Sequence, residues 1–89
     1  MEEMRFACTK ATSMLKPVYV ALFSDRVRIC RVNWRGRETS RRDVYLDSIA
    51  AVERRGRAVS LHCRGMYVPI GFKRREDCDR FCEVLGSLR

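Results

Sequence analysis

Apolar and polar residues alternate with period two along most of this chain, and the period lengthens only at its end. Residues 17–23, Pro-Val-Tyr-Val-Ala-Leu-Phe, are rich in β-branched and aromatic side chains and read as a strand. Pro17 falls at its first position, where a missing ladder donor is tolerated. Ser24-Asp25 follows as a tight turn. Residues 26–32 then alternate, with Val27 and Ile29 on one face and Arg26 and Arg28 on the other. Residues 57–63 put Val59, Leu61 and Cys63 inward against Ala58, Ser60 and His62. Arg64-Gly65 turns the chain, and Met66, Val68, Ile70 and Phe72 line one face of a last strand. Weaker patterns predict a first strand at 4–10, a short one at 44–46, and another at 49–54 that ends in an Arg55-Gly56 turn. Residues 33–42 are polar and basic and contain Gly36, so they read as a loop.

From Arg75 onward the period becomes helical. Cys78, Phe81, Cys82, Leu85 and Leu88 recur at i, i+3, i+4 and i+7 spacing and form one apolar stripe. Glu76, Asp77 and Asp79 near its start suit the helix dipole, although Phe72-Lys-Arg-Arg supplies no Ser, Thr, Asp or Asn as a cap. The predicted architecture is mainly β, with seven strands over about 4–72 and one α-helix at about 75–88. Such strands make two antiparallel sheets or a partly open barrel, and the helix stripe plugs one open end.

At 89 residues the chain is read as one domain, 1–89. Its hydrophobic content of 46% is enough for a folded core. No apolar run approaches the ~20 residues of a membrane span. The N-terminus, Met-Glu-Glu-Met-Arg-Phe, has acids where a secretory leader would have bases. Five Cys without a C-x-x-C pair, and without such a leader, point to a reducing, cytoplasmic setting.

Charge changes the picture more. The net +8 comes from 16 Arg and 3 Lys against 11 acids. Guanidinium forks suit phosphate and carboxylate, and the bases are clustered. Residues 31–42 carry five Arg against Glu38, and residues 54–75 carry seven bases and no acid. Part of the surface should attract phosphate-bearing or acidic partners.

Catalytic chemistry has little to work with. The sequence shows no paired carboxylates, Gly-rich phosphate loop or nucleophile elbow, so we expect no enzyme and no cofactor. His62 points away from Cys63 if the strand reading holds, and this argues against both a Cys–His nucleophile and a metal site. Cys78 and Cys82 read as packing on the helix stripe. The Arg54-Arg55-x-Arg57 turn lacks interleaved aromatics, which argues against nucleic acid.

The ordered set of elements resembles the pleckstrin-homology (PH) superfold over nearly the whole chain. Lys16-Pro-Val-Tyr-Val-Ala-Leu-Phe-Ser-Asp-Arg-Val-Arg-Ile-Cys is similar to the second and third strands of that family with their tight turn. Asp43-Val-Tyr-Leu-Asp-Ser-Ile-Ala-Ala-Val-Glu resembles its step into the fifth strand, and residues 57–63 and 66–72 resemble the sixth and seventh. Phe81, with Leu85 four residues on, stands where the family has Trp and Leu.

The resemblance implies a non-enzymatic binding or adaptor module. Many members bind phosphoinositide headgroups through a Lys at the end of the first strand followed by Lys/Arg-x-Arg entering the second. Lys10 and Lys16 match the first two positions, and Val18 stands where the final Arg belongs. The candidate contact set at the open end is Lys10, Lys16, Trp34, Arg35, Arg37, Arg41 and Arg42. Trp favours a membrane interface and Arg favours lipid phosphate. The plainer alternative is a solvated loop with Trp34 folded back onto the barrel. A phosphate at Thr39 or Ser40, between Arg37 and Arg41, would cancel much of this charge.

Phosphotyrosine-binding relatives of the superfold accept a peptide as an added strand beside the helix. That groove would here be formed by Ile49, Val52 and Arg54 facing Asp79, Arg80 and Glu83. The expected partner is an acidic protein surface or peptide or, alternatively, anionic phospholipid. The expected location is the cytoplasm, peripherally at membranes or cytoskeleton.

Overall fold

The computed structural model describes residues 3–89. Met1 and Glu2, the start of the acidic N-terminal run, lie outside the described residues. Seven strands form one antiparallel sheet: β1 (Met4–Ser13), β2 (Lys16–Phe23), β3 (Arg26–Val32), β4 (Glu38–Tyr45), β5 (Ile49–Arg55), β6 (Ala58–Cys63) and β7 (Met66–Phe72). A short 3-10 turn, Leu46–Ser48, links β4 to β5, and α1 (Arg75–Leu88) closes the chain. Strand order is β4-β3-β2-β1-β7-β6-β5, so β1 joins the two halves and β4 and β5 are the edges. The sheet curls into a partly open barrel.

Two strands are longer than their sequence suggests. β1 runs to Ser13 rather than Lys10, and its register shifts between Cys8 and Ala11. That bulge breaks the period of two, and beyond it the strand keeps β2 and gains a second partner. Ala11 and Thr12 pair with β2 on one side and with Phe72 and Gly71 of β7 on the other. Gly71 allows the close approach at this crossing, because a Cβ there would lie 2.9 Å from Thr12 Oγ1.

The segment read as a loop at 33–42 is a loop only through Arg37. Glu38 to Arg42 instead pair along β3, as does the rest of β4 to Tyr45. The short strand read at 44–46 is therefore the tail of β4, and Leu46 belongs to the 3-10 turn. An edge strand with one solvated side carries few apolar residues, and for that reason its composition mimics a loop.

The core follows the predicted alternation. Val18, Val20 and Leu22 of β2, Val27 and Ile29 of β3, Val59 and Leu61 of β6, and Val68, Ile70 and Phe72 of β7 are all buried. The helix contributes Cys78, Phe81 and Leu85, with Cys82 and Leu88 partly buried beside them. Phe81 packs at 5.7 Å from Phe6 and 5.3 Å from Phe72, centroid to centroid. These aromatic contacts join α1 to β1 and β7 and seal one end of the barrel. As its sequence implies, α1 has no side-chain cap at Arg74.

The outward face of β3 departs from a simple solvated surface. Arg26 is only 6% exposed. Its guanidinium lies 4.8 Å from the Phe23 ring centroid and donates to Asp25 at 2.7 Å, and its Nε lies 3.7 Å from Asp43. Arg28 donates to Asp43 at 2.8 Å and lies 5.0 Å from the same ring. Asp43 thus bridges two arginines, and Arg28's hydrogen bond holds its carboxyl below the ordinary value.

Candidate functional site

Two hairpin turns project side by side at the barrel end away from the aromatic seal. The first joins β1 to β2 by two residues, since Ser13 pairs directly with Lys16. Met14 and Leu15 between them have φ of 54° and 67°. A two-residue hairpin turn of type I′ requires this left-handed conformation at both central positions, and Asn-Gly usually fills them. Here two bulky apolar residues fill them, and both face solvent: Leu15 is 99% exposed and Met14 67%.

The second turn joins β3 to β4. Asn33 shapes it: its side-chain oxygen accepts from the amides of Arg35 and Arg37, both at 2.9 Å. The Asn33 amide donates to the Arg37 carbonyl, and Gly36, at φ 80°, donates to the Asn33 carbonyl. Such side-chain-to-backbone bonds fix a turn. Trp34 is therefore displayed on an ordered support. It is 87% exposed, with the Arg35 guanidinium 4.7 Å from its ring. It does not fold back onto the barrel. The β2–β3 register pairs Val18 with Arg31, and extending it past the strand ends sets Leu15 opposite Trp34.

Beside the first turn, among β2, β3, β4 and β7, opens a cup of about 250 Å³. Its apolar floor is Val18, Ile29 and Val68, and Ser13, Arg31, Ser40, Arg41 and Arg42 form its walls, with Met14 on the rim. Arg31 and Ser40 are a cross-strand pair, as are Ile29 and Arg42. Arg42 Nη2 reaches the Met66 sulfur at 3.1 Å, which brings β4 toward β7 across the opening. Among the described residues no ion pair engages Arg31, Arg35, Arg37, Arg41 or Arg42.

The structure thus gathers Lys16, Trp34, Arg35, Arg37, Arg41 and Arg42 at one end. Arg41 and Arg42 stand on β4 rather than in a loop. Lys10 sits apart, on the β1 bulge, where its carbonyl accepts from the Lys73 amide. Three residues join the set. Arg31 shares the parity of Val27 and Ile29, so the alternation already placed it on the inward face. Met14 and Leu15 carried no sequence signal, because their turn lacks the Asn or Gly that marks one.

The second candidate site, between β5 and α1, is crossed by the protein's own contacts. Arg54 forms an ion pair with Asp79 and Arg80 one with Glu83, while the Arg89 guanidinium donates to the Ile49 carbonyl at 3.4 Å. Val52 is partly buried against the core. A peptide strand added to this edge would have to displace Arg89 and skirt the Arg54–Asp79 bridge.

Three of the five cysteines, Cys8, Cys30 and Cys78, are buried. Burial raises the thiol pKa of Cys8, Cys30 and Cys78, which keeps them protonated. His62 lies 3.5 Å from Glu53 and packs beside Tyr67. Among the described residues no group of three or more His, Cys, Asp or Glu is placed to hold a metal ion. Among the described residues no helix is long and apolar enough to cross a membrane. No protein-family model matches the chain, and no curated protein matches it either.

Proposed function

We propose that this chain is a non-enzymatic, PH-like binding module that docks on anionic membrane surfaces through the paired hairpin tip. The observation that carries this reading is the tip's chemistry: Met14, Leu15 and Trp34 project beyond a ring of cations. Exposed apolar side chains backed by Lys and Arg suit an interface whose phosphates overlie hydrocarbon.

Magnitudes separate this from a purely electrostatic contact. Lys16, Arg35 and Arg37 at the tip contribute about 3 kcal/mol at ~1 kcal/mol per base, which alone gives a Kd weaker than millimolar. Half-burying Met14, Leu15 and Trp34 adds about 3–4 kcal/mol, and the sum corresponds to a Kd of tens of micromolar. The cup behind the tip would take one lipid phosphate between Arg31 and Arg42.

The chain has a single tryptophan, so Trp34 reports directly. Vesicles of phosphatidylcholine with 30% phosphatidylserine should blue-shift its emission and shield it from acrylamide, and neutral vesicles should do neither. An unshifted Trp34 on anionic vesicles would overturn the proposal and leave an acidic protein surface as the partner of the same tip.

A further inference from the structure

We infer that Ser40 is a phosphorylation site whose phosphate would occupy the cup from within and displace an external phosphate ligand. Ser40 is exposed, lies on an edge strand, and lines the cup. Its direct cross-strand partner is Arg31. Arg42, two residues on along the same face of β4, lines the same cup. Residues paired across antiparallel strands have Cβ atoms about 5 Å apart, within easy reach of a phosphoserine and a guanidinium. A phosphate on Ser40 would therefore meet Arg31 from one side and Arg42 from the other, both without an ion-pair partner among the described residues. Charge-assisted bonds of this kind are the strongest that a phosphoserine makes.

Access by a kinase also follows from the geometry. Arg37 and Arg35 lie three and five residues before Ser40, both exposed on the Asn33 turn. A kinase whose substrate cleft is lined with carboxylates would read them. The register between β3 and β4 shifts between the pairs Arg31–Ser40 and Val32–Glu38, which leaves Thr39 as a bulge. A bulged edge is where a strand most readily leaves its ladder. Thr39 itself is a poorer acceptor, because its hydroxyl donates to the Arg31 carbonyl at 3.4 Å. In the transfer, Ser40 Oγ attacks the γ-phosphorus of a nucleoside triphosphate. The bond from that phosphorus to the β–γ bridging oxygen breaks, nucleoside diphosphate leaves, and the hydroxyl proton passes to the kinase's base.

The loss of vesicle binding rests on the membrane reading above; the pairing inside the cup does not, so the two are tested apart. The chain is short enough for chemical synthesis with phosphoserine at position 40. In a phosphorus NMR titration its second ionisation should fall below the ordinary value of about 6, and Arg31→Gln should return it toward that value. An ordinary midpoint that ignores Arg31→Gln overturns the inference. Phosphatidylserine vesicles should bind the phosphorylated chain at least tenfold more weakly than the unmodified one, and equal binding of the two also overturns it. If the unmodified chain does not bind vesicles, the membrane reading fails and the titration still decides the pairing. Incubation with a basophilic kinase and ATP should label Ser40, and Arg37→Gln should slow this severalfold. Label confined to other residues would overturn the assignment of the site.

Discussion

Replacing Met14-Leu15 by Asn-Gly should make the protein more stable and, at the same time, a poorer membrane ligand. The left-handed region costs an ordinary L-residue about 1–2 kcal/mol, and both residues occupy it. Asn tolerates that region, and Gly enters it without penalty. Against this, Gly at position 15 adds unfolded-chain entropy of about 0.5–1 kcal/mol. Leu15 is 99% exposed, so its removal forfeits almost no packing, and Met14 gives up only its contact with the cup rim. The net expectation is a gain of about 1–3 kcal/mol, which in a domain of this size raises Tm by at least about 5 °C. The same change removes about 2–3 kcal/mol of apolar insertion and should weaken vesicle binding roughly 30- to 150-fold.

Circular dichroism melts and vesicle co-sedimentation read the two effects independently. The single variant Leu15→Asn keeps left-handed tolerance without Gly's flexibility and should reproduce most of both. A melting temperature that stays level or falls would refute the strain argument. Unchanged vesicle binding would refute the tip as the contact, whatever the melt shows.

Phe81→Ala removes the ring that meets Phe6 and Phe72 and should cost about 3–5 kcal/mol, measured by urea denaturation. Asp43→Asn leaves Arg28 without its carboxylate partner and Arg26 with a reduced set, and should cost about 2–4 kcal/mol near neutral pH. Because Asp43's folded pKa is lowered, that contribution is complete above the unfolded carboxylate range of about pH 4 and vanishes as pH falls through the folded value. The stability gap between wild type and Asp43→Asn should therefore close on acidification below that range. Gly71→Ala should destabilise by about 1–3 kcal/mol by forcing a Cβ against Thr12, and Thr12→Ala in the same chain should recover most of the loss in a double-mutant cycle.

What was legible in the sequence was whatever had a buried face. β2, β3, β6, β7 and α1 pack apolar residues at their proper periods, and each was found within a residue or two of its bounds. β4 was half hidden, because Glu38 through Arg42 face solvent or the cup, Asp43 turns to Arg26 and Arg28, and no apolar alternation begins until Val44. β1 was cut short by its own bulge, which changes the parity between Cys8 and Ala11. The candidate site was legible as charge and Trp34. Its apolar half was not, since a Met-Leu turn in the left-handed region violates the local preference by which turns are recognised. Arg26 shows the reverse error: alternation assigned its face correctly, yet Phe23, Asp25 and Asp43 bury it.

The distribution of unpaired charge is what the proposed binding role of the tip would require, since these cations do not serve the fold. Where arginines serve the fold, they are answered: Arg26 by Asp25 and Asp43, Arg28 by Asp43, Arg54 by Asp79. At the tip and cup, Arg31, Arg35, Arg37, Arg41 and Arg42 gather with no ion pair among the described residues, while Asp43, the acid next to Arg42, is taken up by Arg26 and Arg28, so these arginines repel one another in the free protein. The left-handed Met-Leu turn adds backbone strain at the same place. On the anionic, partly apolar surface proposed above, phosphates would answer the guanidiniums and relieve the repulsion, and insertion of Leu15 and Trp34 into hydrocarbon would offset the backbone strain, which itself persists. A phosphate on Ser40 would answer the guanidiniums alone, relieving the repulsion without burying the apolar tip. That modification should therefore stabilise the isolated fold while it weakens docking, the same opposition of signs as the Asn-Gly turn but reached through charge instead of backbone.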